Sequence, residues 1–209
     1  MINYSGKNDF KPQQSVSFDA LPAGAYIGKV LGAKIEDVDY NGVPGQRLAI
    51  QLDVTEGEYT DHFQKMFKAQ QAAGGNFAPK YKGILRLNIP RSGDQYEAGN
   101  RRALENAAWA LEQSNNGYHW DWDETKLKGL NVGFSVRERE WIMEQNGEIN
   151  SGTTTEIARL ESVSAVRDGK VKPMRKKELS EANKAKLAAH RANTSAGYTD
   201  VTEDEELPF

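Results

Sequence analysis

Arginine and tryptophan side chains alternate along one predicted strand in the second half of the chain. Its apolar residues lie at 132, 134 and 136, so Arg137, Arg139 and Trp141 fall on the opposite face at a spacing of two. Arg159 lies on the strand expected to pair with it. Guanidinium groups bind phosphates and exposed indole rings stack on bases, so this pattern predicts a surface for unpaired nucleic acid. The alternative is an ordinary charged strand with Trp141 packed beneath a neighbouring loop.

Further aromatic and basic residues extend this prediction. Tyr59 and Phe63 follow closely on the end of another strand, where their rings are available for stacking or for packing. Trp120 and Trp122 are expected to be structural, because tryptophan mostly anchors cores and loop corners. A cluster of cations follows the last strand and is suited to neutralising phosphates: Lys170, Lys172, Arg175, Lys176 and Lys177.

The C-terminus combines carboxylates with an apolar end. An aromatic ring, a stiff proline and a free α-carboxylate would dock into a pocket with a basic rim, and the acids would steer the approach. We therefore predict a partner-binding tip, with an ordinary acidic tail as the alternative. Its residues are Asp204, Glu205, Glu206, Leu207, Pro208 and Phe209.

Signatures of enzymes are almost missing from the sequence. The three histidines are scattered, and neither a Gly-rich phosphate loop nor a nucleophile elbow is present. The absence of cysteine excludes disulfides and thiolate chemistry. Asp121, Asp123 and Glu124 could offer oxygen ligands to Mg²⁺, but neighbouring carboxylates in a loop point apart. We expect no catalytic residues, no metal and no cofactor.

Charge is segregated along the 209 residues, although the formal net charge is only −3. Residues 170–191 carry eight basic and two acidic side chains, whereas residues 199–209 carry five acids and no base. A polyanion responds to local patches, so the mildly acidic total does not argue against a nucleic-acid partner. No apolar run approaches the roughly 18 to 20 residues that span a bilayer, so we expect no membrane association.

Hydrophobic periodicity predicts the elements that must position these residues. Strands are expected over residues 26–39 with a β-bulge near Gly32, over 48–54, and from 130 into a hairpin turning at 145–148. The return strand is expected over 153–165, and residues 83–89 show a short apolar and polar alternation that is ended by Pro90. Helices are expected over about 58–71 and 100–114, and residues 178–190 are helix-prone. A strongly bent first strand suggests a small barrel.

These elements predict four regions. They are a flexible lead over residues 1–20, a mainly β domain with one or two inserted helices over 21–169, a basic arm or linker over 170–198, and the acidic tip over 199–209. The final part of the chain reads as disordered, because its composition offers little to bury.

Two resemblances bear on fold and function. The tip is similar to the acidic, Pro-Phe-terminated tail of bacterial single-stranded DNA-binding proteins. The body resembles bacteriophage proteins of the single-stranded DNA-binding type through residues 21–26 (Leu-Pro-Ala-Gly-Ala-Tyr), 53–59 (Asp-Val-Thr-Glu-Gly-Glu-Tyr) and 114–124 (Ser-Asn-Asn-Gly-Tyr-His-Trp-Asp-Trp-Asp-Glu). This resemblance implies an OB-fold, a five-stranded partly open barrel, in a phage protein that works in the host cytoplasm and assembles as a homo-oligomer, most simply a dimer.

The resulting expectation is a non-catalytic protein that binds single-stranded DNA without sequence preference. It would protect DNA during replication and recombination and recruit proteins of those processes through its tip. Two alternatives stay open: a metal-dependent phage nuclease with ligands in the 121–124 loop, and a module that binds only protein.

Overall fold

The computed structural model describes residues 20–40, 42–74, 78–145 and 147–196. Within these ranges the chain is mainly β, with five strands, four α-helices and one short 3-10 helix (Glu124–Leu127). In chain order, the strands and α-helices are β1 (Gly24–Asp39), β2 (Pro44–Val54), α1 (His62–Ala73), β3 (Ile84–Asn88), α2 (Glu97–Ser114), β4 (Asn131–Gln145), β5 (Glu148–Glu161), α3 (Val163–Arg167) and α4 (Glu181–Ala196).

All five strands form one antiparallel sheet in the order β3-β2-β1-β4-β5. The sheet is partly open, because β3 and β5 stand at its two ends without a hydrogen-bonded ladder between them. Both of these edge strands line one groove, so the sheet curves enough to bring its ends towards each other. The predicted mainly β architecture with two inserted helices, α1 and α2, is confirmed.

The first strand is long and changes partners along its length. Residues 24–29 pair with β4, and residues 28–39 pair with β2. The register shifts between Val30 and Gly32, which confirms the β-bulge predicted there. An extra residue bends a strand and increases its local twist, so one strand can serve both halves of a curved sheet.

The core lies on one face of the sheet, and α2 packs against β3, β4 and β5. Leu104, Ala107 and Leu111 of α2 are buried, as their helical spacing predicted. On β4, Val132, Phe134 and Val136 are buried, so the predicted phase of this strand is also confirmed. The face that carries Arg137 and Arg139 is therefore the one turned away from the core.

A buried carboxylate fixes the start of α1. Asp53, at the end of β2, is 1 % exposed and accepts hydrogen bonds from the backbone N–H groups of Phe63 (3.0 Å) and Gln64 (2.9 Å). These N–H groups belong to the first turn of the helix, where no partner within the helix exists. Asp53 thereby holds α1 against the sheet, with Phe63 inserted into the core.

The predicted return strand, residues 153–165, begins five residues after the observed start of β5 at Glu148 and extends past its end. β5 stops at Glu161, and Ser162 caps α3 by accepting a hydrogen bond from the Ala165 N–H (3.2 Å). The short apolar run after Glu161 fits either a continued strand or a turn of helix. The Ser162 cap favours the helix, because its side chain satisfies a backbone N–H of the first turn. α3 then packs over Gly133, which has no room for a side chain.

The second half of the expected linker folds back onto the hairpin of β4 and β5. Lys177 forms a parallel bridge with Arg139, and its backbone N–H donates to the Glu138 carbonyl over 2.9 Å. Helix α4 follows. It begins at Glu181, so it contains residues 181–190 of the predicted helix-prone stretch 178–190. In the described part of the chain, no helix has the length and hydropathy needed to cross a bilayer. The lead up to residue 19 and the tip lie outside the described residues.

Candidate nucleic-acid interface

A groove of about 500 Å³ runs along the seam between the two edge strands. Residues 84–86 of β3 form one wall and residues 154–158 of β5 form the other, while α1 contributes Phe63 and Met66. Five cations also line it: Lys82, Arg86, Arg137, Arg139 and Lys177. Among the described lining residues, Glu156 is the one carboxylate. The groove therefore combines apolar side chains with a strong excess of positive charge.

Glu156 is shared by three cations on the hairpin wall. Arg137 lies directly opposite it across β4 and β5, and donates from Nη2 over 2.7 Å and from Nε over 3.0 Å. Nε of Arg139 lies 3.1 Å from its other oxygen, and Nζ of Lys177 lies 3.6 Å away. One carboxylate cannot neutralise three cations, so two positive charges remain in excess.

Glu36 is the shared carboxylate of a second cluster of three cations, which lies on the face formed by β1, β2 and β3. Its carboxylate lies 3.1 Å from Lys34 Nζ, 2.8 Å from Arg47 Nε and 3.4 Å from Arg86 Nε. The hydrogen bonds from Lys34 and then Arg47 lower the pKa of Glu36 to about 2. This group is therefore ionised at neutral pH, and two cationic charges again remain in excess.

Arg86 joins the two clusters, because it contacts Glu36 and also lines the groove that contains Glu156. We refer to the six cations around these carboxylates as the cation track: Lys34, Arg47, Arg86, Arg137, Arg139 and Lys177. Six cations that share two carboxylates carry four positive charges in excess. Such a surface can bind several phosphates by exchanging carboxylate contacts for phosphate contacts.

Arg159 was predicted to belong with Arg137 and Arg139, and the structure separates it from them. It shares their face, since it pairs with Ser135, but a register shift between residues 135 and 136 displaces it along the sheet. Its guanidinium forms an ion pair with Glu161, and it is not among the described residues that line the groove.

Trp141 shares the outward face with the arginines but is partly covered. Its indole lies across Gly152 of β5, where an added Cβ would lie only 3.0 Å from the ring. Leu187 and Ala188 of α4 line the same hollow as this ring. Trp141 is thus packed, as the alternative interpretation of the sequence predicted, but it is covered by helix α4 rather than by a loop.

The rings of Tyr59 and Phe63 pack against other rings. Tyr59 makes edge contacts with Tyr26 and His62, at centroid distances of 5.8 Å and 6.0 Å. Phe63 is only 6 % exposed, so its ring forms part of the floor of the groove rather than a platform for stacking. Burial of His62 in this cluster lowers its pKa.

The five predicted cations of the arm are in different environments. Lys177 joins the cation track, and Lys176 lies 2.9 Å from Glu140, whose pKa it lowers. Lys170 pairs with Asp168. Lys172 and Arg175 are exposed, and neither forms an ion pair with any described residue. We call residues 170–176 the basic segment.

Sequence reasoning missed Lys34, Arg47 and Arg86. Arg47 and Arg86 both occupy outward phases of alternating strands, which is the same signal that identified Arg137. Their clustering around Glu36 could not be read from that signal, because it depends on the register of three strands.

The acidic loop considered as a metal site is occupied by other contacts. Asp121 pairs with Lys126, and Asp123 accepts from the backbone and hydroxyl of Thr125. Across residues 20–40, 42–74, 78–145 and 147–196, no three His, Asp or Glu side chains are grouped so as to hold a metal ion.

Comparison with protein-family models and with curated proteins found no match to this sequence.

Proposed function

We propose that the protein binds single-stranded DNA along the cation track, without sequence preference and without catalysis. The observation that carries this proposal is the sharing of two carboxylates by six cations on one continuous surface. Cations that follow strands can track a sugar-phosphate backbone, and their excess charge is sequence-independent.

The strand arrangement supports an OB-fold as the scaffold. The five-stranded, partly open antiparallel sheet, its long and bulged first strand and the helix between β3 and β4 all support this proposal, because the OB-fold is a five-stranded, partly open barrel. OB-folds bind oligonucleotides on the face of their second and third strands and between two loops. Arg47 and Arg86 belong to those strands here, which agrees with the position of the cation track.

The groove favours an unpaired strand over a duplex. Met66 and Phe63 make part of the groove floor apolar, and a base can contact that floor only when it is free of its pairing partner. Its cations lie on strands and a short connecting segment, with no described helix projecting them towards a major groove. Phage origin, host cytoplasm and recruitment of replication proteins by the tip stay predictions of the sequence.

Binding of a fluorescein-labelled oligo(dT) tests the proposal, measured by anisotropy at several salt concentrations. We expect saturable binding that weakens with salt, and much weaker binding of a duplex of the same length. The triple variant Arg86→Gln, Arg137→Gln, Arg139→Gln should lose most of the affinity. A charge-matched control is Arg101→Gln, Lys126→Gln, Lys128→Gln, which removes three cations outside the groove. Equal losses in both variants, or no binding at low salt, would refute the proposal.

A further inference from the structure

Helix α4 lies beside the hairpin of β4 and β5 without packing tightly against it. Its first turn is stabilised from within the arm, since Lys184 Nζ lies 2.7 Å from Glu178 and 3.1 Å from Glu181. Over residues 181–192, none of its side chains is buried, and a hollow of about 460 Å³ remains between the helix and the hairpin. This volume lies within the range of roughly 300 to 1,000 Å³ that is typical of ligand sites.

The hollow has an aromatic ring on the hairpin side and aliphatic side chains on the helix side. The indole of Trp141 lies across Gly152, where no side chain competes with it for space. Leu179, Leu187 and Ala188 supply the apolar surface of the arm. A flat ring that enters the hollow can therefore stack on the indole and contact aliphatic groups on its other face.

The charged groups that border the hollow already have partners. Glu140 lies 2.9 Å from Lys176 and accepts from the backbone N–H of Leu179 over 3.2 Å, and both contacts lower its pKa. Lys184 is held by the two glutamates named above, and Arg191 also interacts with another group. Because these charges are paired, the hollow suits an uncharged ring better than it suits a phosphate.

The hollow directly continues the cation track. Arg139 and Trp141 are two residues apart on one face of β4, which corresponds to about 7 Å along the strand. Lys177, the member of the cation track that lies on the arm, bridges to Arg139, and α4 begins shortly afterwards at Glu181. A nucleotide whose phosphate contacts Arg139 can thus reach the hollow with its base.

We propose that the hollow binds one base of the DNA strand, stacked on Trp141 and held from the other side by α4. This site rests on the proposed function, in which the phosphates of the same strand lie on the cation track. Every base has a flat face, so a stacking site of this kind adds affinity without sequence preference. With a base in place, α4 gains the packing that it lacks in the free protein.

Two oligomers of equal length and charge test the site: oligo(dT) and a chain of abasic tetrahydrofuran phosphates. Both present phosphates to the cation track, but only oligo(dT) has rings for the hollow. We expect the wild type to bind oligo(dT) at least about tenfold more tightly at low salt, which corresponds to the stacking of one base.

Two variants remove the site in opposite ways. Trp141→Ala removes the ring, whereas Ala188→Phe fills the hollow with another one. Each should bind oligo(dT) about tenfold more weakly and bind the abasic chain like the wild type. The matched controls are Trp109→Ala, at an exposed tryptophan of α2, and Ala189→Phe, at an exposed position of α4 that does not line the hollow. Both controls should bind the two oligomers like the wild type.

Hydrogen exchange of the full chain gives a readout that needs no variant. Saturating oligo(dT) should slow the exchange of the α4 amides, and the abasic chain should leave that exchange unchanged. Faster exchange in α4 would mean that DNA displaces the helix, and it would overturn a base held between the helix and Trp141.

The outcomes separate this site from the proposed function. Equal losses for both oligomers in Trp141→Ala would assign the ring a structural role and overturn the base site, as would unchanged oligo(dT) binding by both variants. Salt-dependent binding of the two oligomers with equal affinity by the wild type would leave the cation track standing and refute the base site alone. A wild type that binds neither oligomer at low salt would refute the proposed function and the base site with it.

Discussion

Replacing Glu156 by glutamine should tighten DNA binding. The carboxylate occupies the position that a phosphate would take, within 2.7 to 3.6 Å of Arg137, Arg139 and Lys177. In Glu156→Gln the three cations keep their positions on the strand and the bridge, but their excess charge rises from two to three. A purely structural role for the carboxylate predicts the opposite sign, because loosened cations would bind less well.

The magnitude follows from the exposure of these pairs. Two unit charges 4 Å apart interact by about 1 kcal/mol in water and about 4 kcal/mol at a protein surface. Measured net values for exposed pairs fall below about 1 kcal/mol, because desolvation and side-chain entropy oppose them. We therefore expect a gain near 1 kcal/mol, or about fivefold in Kd at low salt. One more phosphate contact would also steepen the slope of log K against log salt by about 0.7.

Oligo(dT) anisotropy at four or more salt concentrations measures both quantities. Glu144→Gln is the control, since it makes the same change in net charge at an ion pair with Lys186 outside the groove. Thermal unfolding should show a decrease in Tm of a few degrees at most, because about 1 kcal/mol moves the Tm of a chain this long by roughly 2 to 4 °C. Unchanged or weaker binding by a folded Glu156→Gln protein would refute the competition between carboxylate and phosphate.

Three further predictions concern the cation track and the elements that support it. Arg86→Gln should weaken oligo(dT) binding about fivefold and reduce the salt slope by about 0.7, and an unchanged slope would show that Arg86 contacts no phosphate. The pKa of Glu36 is about 2 instead of its ordinary 4.5, so its stabilisation is present above pH 4.5 and is lost as the pH falls towards 2. Urea unfolding between pH 4.5 and 2 should show a smaller loss of unfolding free energy in Glu36→Gln than in the wild type. Equal losses in the two proteins would contradict the lowered pKa of Glu36. Gly28→Ala should destabilise by about 3 kcal/mol in urea, because its Cβ would overlap the Asp53 carbonyl and lie 2.7 Å from a Phe134 ring carbon. A urea midpoint equal to that of the wild type would mean that β1 can move away from β2 and β4 at little cost.

Local patterns in the sequence were enough to predict most elements and the faces of the strands. Alternation assigned Val132 to the core and Arg137 to the outside, and the irregular phase at Gly32 predicted the bulge. Helical spacing likewise identified the buried side of α2. These predictions succeed because the period of two or 3.6 residues is a property of the backbone itself, which any buried face must obey.

Which of these residues meet in space depended on tertiary structure alone. Glu36 and Arg86 are 50 positions apart in the chain and meet because three strands align in one register. Trp141 has the phase of an exposed side chain, yet α4 returns to cover it. Strand periodicity specifies a direction for each side chain but not what arrives from elsewhere to face it. That second property is decided by strand register and by the burial of remote segments, which no local pattern encodes.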